Sequence, residues 1–254
     1  MRCRLLIDDA AGPGSWNMAV DEALLESAPS GTDVTLRWYR WQEATVSLGY
    51  FQKSGASDRS RFGSLPLVRR LSGGGAILHH HELTYSCTIG PQHPLAADPT
   101  QLYGQVHSAI IDVLAGFGVK AAMRGRKIDE VEHLFLCFGR GDSRDVVMDG
   151  HKILGSAQRR RRGAILQHGS LLMRKSLYAE EFPGLCDLSG VDVPEDELLA
   201  AMASRVGEAL TTTVEPGSLT DEERALAVEL EEQKYRLLDW SAPRPAVAPD
   251  VTAR

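Results

Sequence analysis

A chain of 254 residues with 43% hydrophobic content is large enough to bury most of its apolar surface in one domain. Its formal net charge of −6 argues against general nucleic-acid binding, which is dominated by phosphate neutralisation and wants a basic surface. The sequence has no apolar run of the roughly 18 residues that span a membrane, no signal-peptide apolar core, and four cysteines (3, 87, 137 and 186) without CxxC or disulfide-framework spacing; the expectation is a cytoplasmic protein with reduced thiols and no membrane partner.

In chain order, Asn17 is expected to cap a helix over residues 18–25, its short polar side chain satisfying an orphan amide. Residues 35–41 and 44–51 are rich in β-branched and aromatic side chains and read as neighbouring strands. Residues 65–70 and 76–79 read as strands on either side of Ser72-Gly73-Gly74-Gly75, which makes that cluster a turn between strands rather than a strand-to-helix phosphate loop. Leu102, Val106, Ile110, Val113 and Phe117 recur at steps of three or four, the stripe of a helix lying on a sheet. Residues 145–148 and 165–173 are strand-like, with 152–158 between them supplying small residues for close backbone approach. Past residue 190 the pattern turns helical: Pro194 precedes a helix over 195–210, and Thr220 with Glu223 forms a capping-box pattern ahead of 225–240. The tail at 242–254, with Pro243, Pro245 and Pro249, is expected to be disordered, leaving 1–241 as one mixed α/β domain.

Cys137 and Lys152 stand fifteen residues apart. A thiol exchanges an acyl group with a thioester almost isoenergetically, and a nearby ammonium raises its thiolate fraction, so the pair points to acyl transfer through a covalent thioester. The plainer reading of Cys137 is a small buried hydrophobe, as most free cysteines are. Ser72, Gly73, Gly74 and Gly75 leave room for a ligand against bare backbone, or form an ordinary tight hairpin. Arg69 and Arg70 alternate faces in a strand, so Arg70 is assigned to the pocket and Arg69 to the solvated surface. His79 and His81 share a strand face as zinc ligands would, but no third ligand is evident nearby, and His79 is read as a pocket-wall residue. His168 is read as structural. Arg159-Arg160-Arg161-Arg162 is the sharpest charge run, ordinarily a solvated loop.

Taken together, Arg69-Arg70-Leu71-Ser72-Gly73-Gly74-Gly75-Ala76-Ile77-Leu78-His79, Lys152-Ile153-Leu154-Gly155-Ser156-Ala157-Gln158 and Leu166-Gln167-His168-Gly169-Ser170 resemble the lipoate-protein ligase and octanoyltransferase family, which shares a catalytic fold with biotin-protein ligases. Asn17-Met18-Ala19-Val20-Asp21-Glu22-Ala23, the aromatic stretch from Trp41 through Gln52, Glu82-Leu83-Thr84-Tyr85-Ser86, and Lys234-Tyr235 with Trp240 extend the match in the family's order. The resemblance implies an α+β catalytic domain with mixed β-sheets flanked by helices. It implies Cys137 as the thioester-forming nucleophile, Lys152 as its activator, and a substrate pocket built from Arg70, Ser72, Gly73, Gly74, Gly75, His79, Gly155, Ser156 and Ala157. The donor it implies is an octanoyl-acyl carrier protein. The acceptor is a lysine of a lipoyl-domain protein, either a glycine cleavage H protein or a 2-oxoacid dehydrogenase E2. No cofactor or protein-bound metal is needed for transfer. Since the family's carriers are acidic, Arg159, Arg160, Arg161 and Arg162 become a candidate docking strip. ATP-dependent lipoate ligation through lipoyl-AMP, with ATP and Mg, uses the same pocket, but such ligases commonly carry an extra domain and need no cysteine before the lysine motif. A non-catalytic binder of acyl-carrier or lipoyl domains is a third reading.

Overall fold

A computed structural model describes residues 1–28, 31–52, 61–125, 136–139 and 141–237. In chain order the elements are β1 (Arg2–Ile7), α1 (Gly14–Glu26), β2 (Val34–Tyr39), β3 (Thr45–Leu48), β4 (Leu67–Arg69), β5 (Ile77–His79), β6 (Glu82–Ile89), α2 (Pro99–Gly116), β7 (Ala122–Met123), β8 (Val146–Met148), β9 (His151–Arg161), β10 (Ala164–Leu172), α3 (Leu185–Ser189), α4 (Glu195–Leu210), β11 (Thr213–Pro216) and α5 (Asp221–Leu230). Eight strands form a mixed sheet in the order β11-β1-β2-β6-β10-β9-β8-β7, and three form a small sheet in the order β4-β3-β5.

Every residue of β2, β6 and β10 is buried, so both faces of the centre of the large sheet are covered. On one face Val34, Leu36, Trp38, Leu83, Tyr85 and Ile89 pack with the apolar stripes of α2 and α4 into the main core. Burial of such surface, at roughly 25 cal/mol per Å², is the main force holding the layers together. The opposite face lies under α1 and carries polar side chains. Arg37 is 1% exposed there, and all five of its N–H donors are filled. Nε and Nη2 donate to the Asp8 carboxylate, Nη1 to Asp21 Oδ1 and the Asn17 carbonyl, and Nη2 also to Asn17 Oδ1. Burial disfavours this cation, but the charge of Asp21 and the bonds and charge of Asp8 together outweigh it and hold the guanidinium above its ordinary pKa.

Several expectations change once the chain is folded. Asn17 is not a cap: α1 begins at Gly14 after Pro13, and Asn17 lies inside it, fully buried, donating to the carbonyls of Gly12 and Arg40. Strands 35–41 and 44–51 are not partners. β2 is already paired on both edges, by β1 and β6, so β3 is left to nucleate the second sheet. The Ser72–Gly75 cluster is likewise no hairpin, because β3 lies between β4 and β5, parallel to the first and antiparallel to the second. The loop therefore crosses the end of β3, where Gly49 is obligatory: a Cβ there would overlap the Gly74 carbonyl. Residues 152–158, between the two strand-like stretches, make up seven of the eleven residues of β9. Its hairpin to β10 turns on Arg162 and Gly163, both at positive φ (51° and 82°), the handedness that matches strand twist. Arg69 is not on the surface. It is fully buried and donates to the carbonyls of Gly49, Tyr50 and Gln52.

The helices over 101–118 and 195–210 appear as α2 and α4, and the capping box forms, with Glu223 N donating to Thr220 Oγ1 and Thr220 N to the Glu223 carboxylate. α5 passes into a π-helical turn, Glu231–Tyr235. Trp240 and the 242–254 tail fall outside the described residues. No helix among the described residues is long and apolar enough to cross a membrane.

Removing the buried cation while leaving Asp8 and Asp21 in place strands two carboxylates, and such a change typically costs about 3–5 kcal/mol. Arg37→Met is expected to lower the unfolding free energy by that amount, read as a lower urea midpoint at an unchanged m-value.

Candidate active site

An apolar cavity opens between the α1 face of the large sheet and the small sheet, with Met18, Tyr39, Ile77, Thr84 and Phe138 in its walls. A polar groove, whose walls include Tyr103, His107, Asp142, Arg144 and Gln158, meets it. Gly73, Gly74, Cys137, Lys152, Ser156 and Ala157 line both, so the two spaces join at these residues.

Cys137 opens a single 3-10 turn, Cys137–Gly139, and is half-buried. Its backbone N–H donates to the Ala76 carbonyl at 2.7 Å, which fastens the cysteine turn to the end of the glycine loop. Lys152 enters on β9, buried, with Nζ 3.8 Å from Cys137 Sγ. The ammonium is held by Asp145, whose Oδ1 lies 2.9 Å away while its Oδ2 accepts the Asp142 N–H at 2.7 Å. The lysine side chain folds back over Gly155, where a Cβ would overlap its Cε and stand 2.6 Å from Nζ. That contact gives the Lys-x-x-Gly spacing its physical meaning: the third residue on must have no side chain.

Arg70, Gly73, Gly74, His79, Gly155, Ser156 and Ala157 line the apolar cavity, and Gly75 lines the groove. Ser72 lies behind the wall, its hydroxyl bonded to Nε2 of His168. His168 Nδ1 lies 3.1 Å from Asp21 Oδ2, so the glycine loop is tied through Ser72, His168 and Asp21 to Arg37. His168 thus has the structural partners expected of it and also lines the cavity. Arg70 donates to the carbonyls of Ser47, Gly73 and Gly75, and burial lowers its pKa to about 10. His79 commits both ring nitrogens, to Ser47 Oγ and Glu82, and stacks on Trp41 with centroids 3.7 Å apart. Among the described residues no group of three or more His, Cys, Asp or Glu is placed to hold a metal.

The arginine run divides. Arg161 pairs with Glu22 and Glu26, Arg162 approaches Glu26 at 3.6 Å, and Arg159 lies over the Tyr50 ring. Arg160 is exposed on the strand rather than on a loop.

Asp145 is the main site residue that sequence reasoning missed. Its separation from Lys152 carries meaning only once β8 folds back on β9 with a register shift between Val146 and Val147. His107, Tyr85 and Asp21 were missed because each sits on a helix or strand face that periodicity assigns to the core. Burial drives the His107 pKa down to about 4, so its imidazole is neutral at pH 7.

Gly155→Ala is expected to displace Lys152 and, at the sensitivity usual for a misplaced catalytic group, to reduce turnover about 10²-fold. The melting temperature should fall as well, because the displaced ammonium leaves the buried Asp145 carboxylate without its partner. Steady-state turnover alongside a thermal melt checks both.

The model of the lipoyl protein ligase A/B catalytic domain matches residues 13–191, a span that takes in the glycine loop, Cys137, Asp145 and Lys152. Among characterised proteins, the chain is similar to octanoyltransferase LipM of Kyrpidia tusciae, at 33% identity over 93% of this chain and 97% of that one. Among solved structures it is similar to Ta0514, a putative lipoate protein ligase from T. acidophilum with bound lipoic acid, at TM-score 0.77 and 28% identity over 95% of this chain and 99% of that one. It is also similar to a Thermoplasma acidophilum bi-partite lipoate protein ligase described with its E2 lipoyl domain, at TM-score 0.76 and 25% identity over 97% and 100%. With the family's model spanning the assembled site and its fold matched along nearly the whole chain, this protein belongs to the lipoyl protein ligase A/B catalytic domain family.

Proposed function

We propose that this chain is an octanoyltransferase of lipoate metabolism, taking an octanoyl group from acyl carrier protein onto Cys137 and passing it to a lysine of a lipoyl-domain protein. The observation that carries the reading is the Cys137–Lys152 approach at 3.8 Å, at the junction of an apolar cavity with a polar groove. The similarity to LipM supports the donor chemistry, and the relative described with an E2 lipoyl domain supports the acceptor class.

In the first half-reaction the Cys137 thiolate attacks the donor thioester carbon. The new C–Sγ bond forms, the bond to the carrier's sulfur breaks, and the carrier leaves as a thiolate that takes a proton from water. In the second, a lysine amine attacks the acyl-Cys137. The N–C bond forms, the C–Sγ bond breaks, the amine proton goes to solvent and the thiolate returns beside Lys152. The alkyl chain occupies the apolar cavity and both carriers' arms approach through the groove.

The contribution of Lys152 lies more in geometry than in thiol acidity. Lowering a thiol pKa from ~8.5 to ~7 raises the thiolate about fifteenfold at neutral pH, but a Brønsted slope of ~0.4–0.5 takes back about fivefold in nucleophilicity. A donor held at the thioester oxygen is worth ~10²–10³ in turnover. The Asp145 carboxylate and the bare Gly155 backbone fix the ammonium for that task. Lys152→Arg, which keeps the charge and changes the shape, is therefore expected to lose about 10²-fold in turnover.

Intact-protein mass spectrometry after incubation with octanoyl-acyl carrier protein, without ATP, tests the reading. The expected result is an octanoyl adduct that hydroxylamine releases and Cys137→Ala lacks. No adduct on folded protein, with lipoyl-AMP formed from lipoate and ATP, replaces the reading with ligation.

Docking rests on the arginines that the fold leaves available. Arg160 is exposed on β9 and Arg159 is half-buried over the Tyr50 ring, whereas Arg161 is engaged by Glu22 and Glu26. Replacing Arg159 and Arg160 with Ser should weaken acyl-carrier binding and flatten its dependence on salt. Unchanged affinity and salt slope in a titration rule the strip out.

A further inference from the structure

Ser156 sits at the junction of cavity and groove, half-buried, and its hydroxyl belongs to a hydrogen-bond chain whose direction can be read from its ends. At one end His107 Nδ1 faces the Arg144 carbonyl at 2.6 Å. A carbonyl only accepts, so Nδ1 carries the proton and Nε2 presents a lone pair. Nε2 lies 2.7 Å from Ser156 Oγ, and the serine must donate its one hydrogen there. At the other end the Gln167 amide Nε2 donates to the Tyr85 hydroxyl at 2.8 Å, while its Oε1 accepts from Gln158. Tyr85 in turn stands 2.8 Å from Ser156 Oγ. Because the serine hydrogen is already committed to His107, Tyr85 is the donor in this contact. Ser156 Oγ is left with no free hydrogen to donate and one free lone pair. Gly169 makes the arrangement sterically feasible, since a Cβ there would overlap Ser156 Oγ and crowd the Tyr85 ring.

Resting on the transferase reading above, we propose that Ser156 Oγ is the acceptor that orients the incoming lysine amine for attack on the acyl-Cys137, and that His107 and Tyr85 are positioning residues that fix its polarity. A neutral amine that donates one N–H to Ser156 Oγ keeps its lone pair free for the thioester carbon. A hydroxyl free to rotate would offer its hydrogen to that lone pair instead and quench the nucleophile. His107 prevents the rotation by holding the serine hydrogen. The other polar group at the junction, the Lys152 ammonium, is a donor and cannot take this part. Burial of His107 keeps its imidazole neutral, which suits a fixed acceptor of the serine hydrogen better than a shuttle for the amine proton. That proton therefore leaves through the groove to water.

The test separates the two half-reactions in the full chain. Acyl-Cys137 formation from octanoyl-acyl carrier protein and its discharge to Nα-acetyl-lysine methylamide are each timed by intact mass. For Ser156→Ala the expected result is discharge slowed about 10- to 100-fold with acyl-Cys137 formation changed much less, at an unaltered fold by circular dichroism. His107→Leu, which keeps the serine but frees its hydrogen, should slow discharge as well. The double variant should be no slower than the worse single one, because the two residues act as one unit. Equal slowing of both half-reactions, unchanged discharge, or additive losses in the double variant would each overturn the proposal. If the wild-type protein forms no acyl-Cys137, the transferase reading itself falls and takes this role with it; an adduct whose discharge ignores Ser156 removes only the role.

Discussion

The buried guanidinium of Arg37 is the constraint on which the rest of the site depends. It sits between the Asp8 and Asp21 carboxylates and reaches the Asn17 backbone and side chain, so β2, the turn after β1 and the start of α1 are held as one piece. Burial pushes the Asp21 carboxyl up, but the bond from His168 and the charge of Arg37 hold it below its ordinary range. Asp21 is thus a fixed anion, and it passes rigidity on through His168 to Ser72 and the glycine loop. The loop holds Cys137 through the Ala76 carbonyl. A charge cluster on one side of α1 therefore sets where the sulfur stands.

Missing side chains are the second element of the design. Gly49 admits the glycine loop, Gly155 admits the folded Lys152 side chain, and Gly169 admits the Ser156–Tyr85 contact. Each glycine lets two polar groups approach across backbone that any Cβ would block. The conformational cost of glycine in a strand, roughly 0.5–1 kcal/mol, is offset by the surrounding packing of the buried β9 and β10.

Charge is distributed with similar economy. The Lys152–Asp145 pair is the ion pair at the junction, while His107 beside it is kept neutral by burial and His79 is tied to Glu82 and Ser47. Two unit charges about 4 Å apart interact by about 4 kcal/mol at an effective dielectric near 20, against about 1 kcal/mol in bulk water. An ammonium held 3.8 Å from Sγ by a buried carboxylate is therefore close enough to act on the sulfur and on a thioester oxygen in the proposed reaction. The apolar walls on one side and the polar groove on the other fit an alkyl chain and the arm that delivers it.

The local chemistry of the chain was enough to determine several things. The stripe from Leu102 to Phe117 specifies α2, Thr220 and Glu223 specify the start of α5, and the order of the glycine, lysine and histidine motifs specifies the family. These signals survive because each depends on neighbours within one or two turns, or on a pattern carried whole. Tertiary structure decided the rest. Asn17, which reads as a cap, is drawn inside α1 by two carbonyls and Arg37. β3 leaves β2 for another sheet because both edges of β2 are taken. Arg69, which alternation places in solvent, is buried among carbonyls of the segment that crosses above it. Asp145 becomes the anchor of Lys152 only through the β8–β9 register, and the polarity of Ser156 only through contacts with a helix and two other strands. A sequence names the groups that can react, but a buried polar atom takes its role from partners far away in the chain, and only the packed layers bring those partners within hydrogen-bond distance.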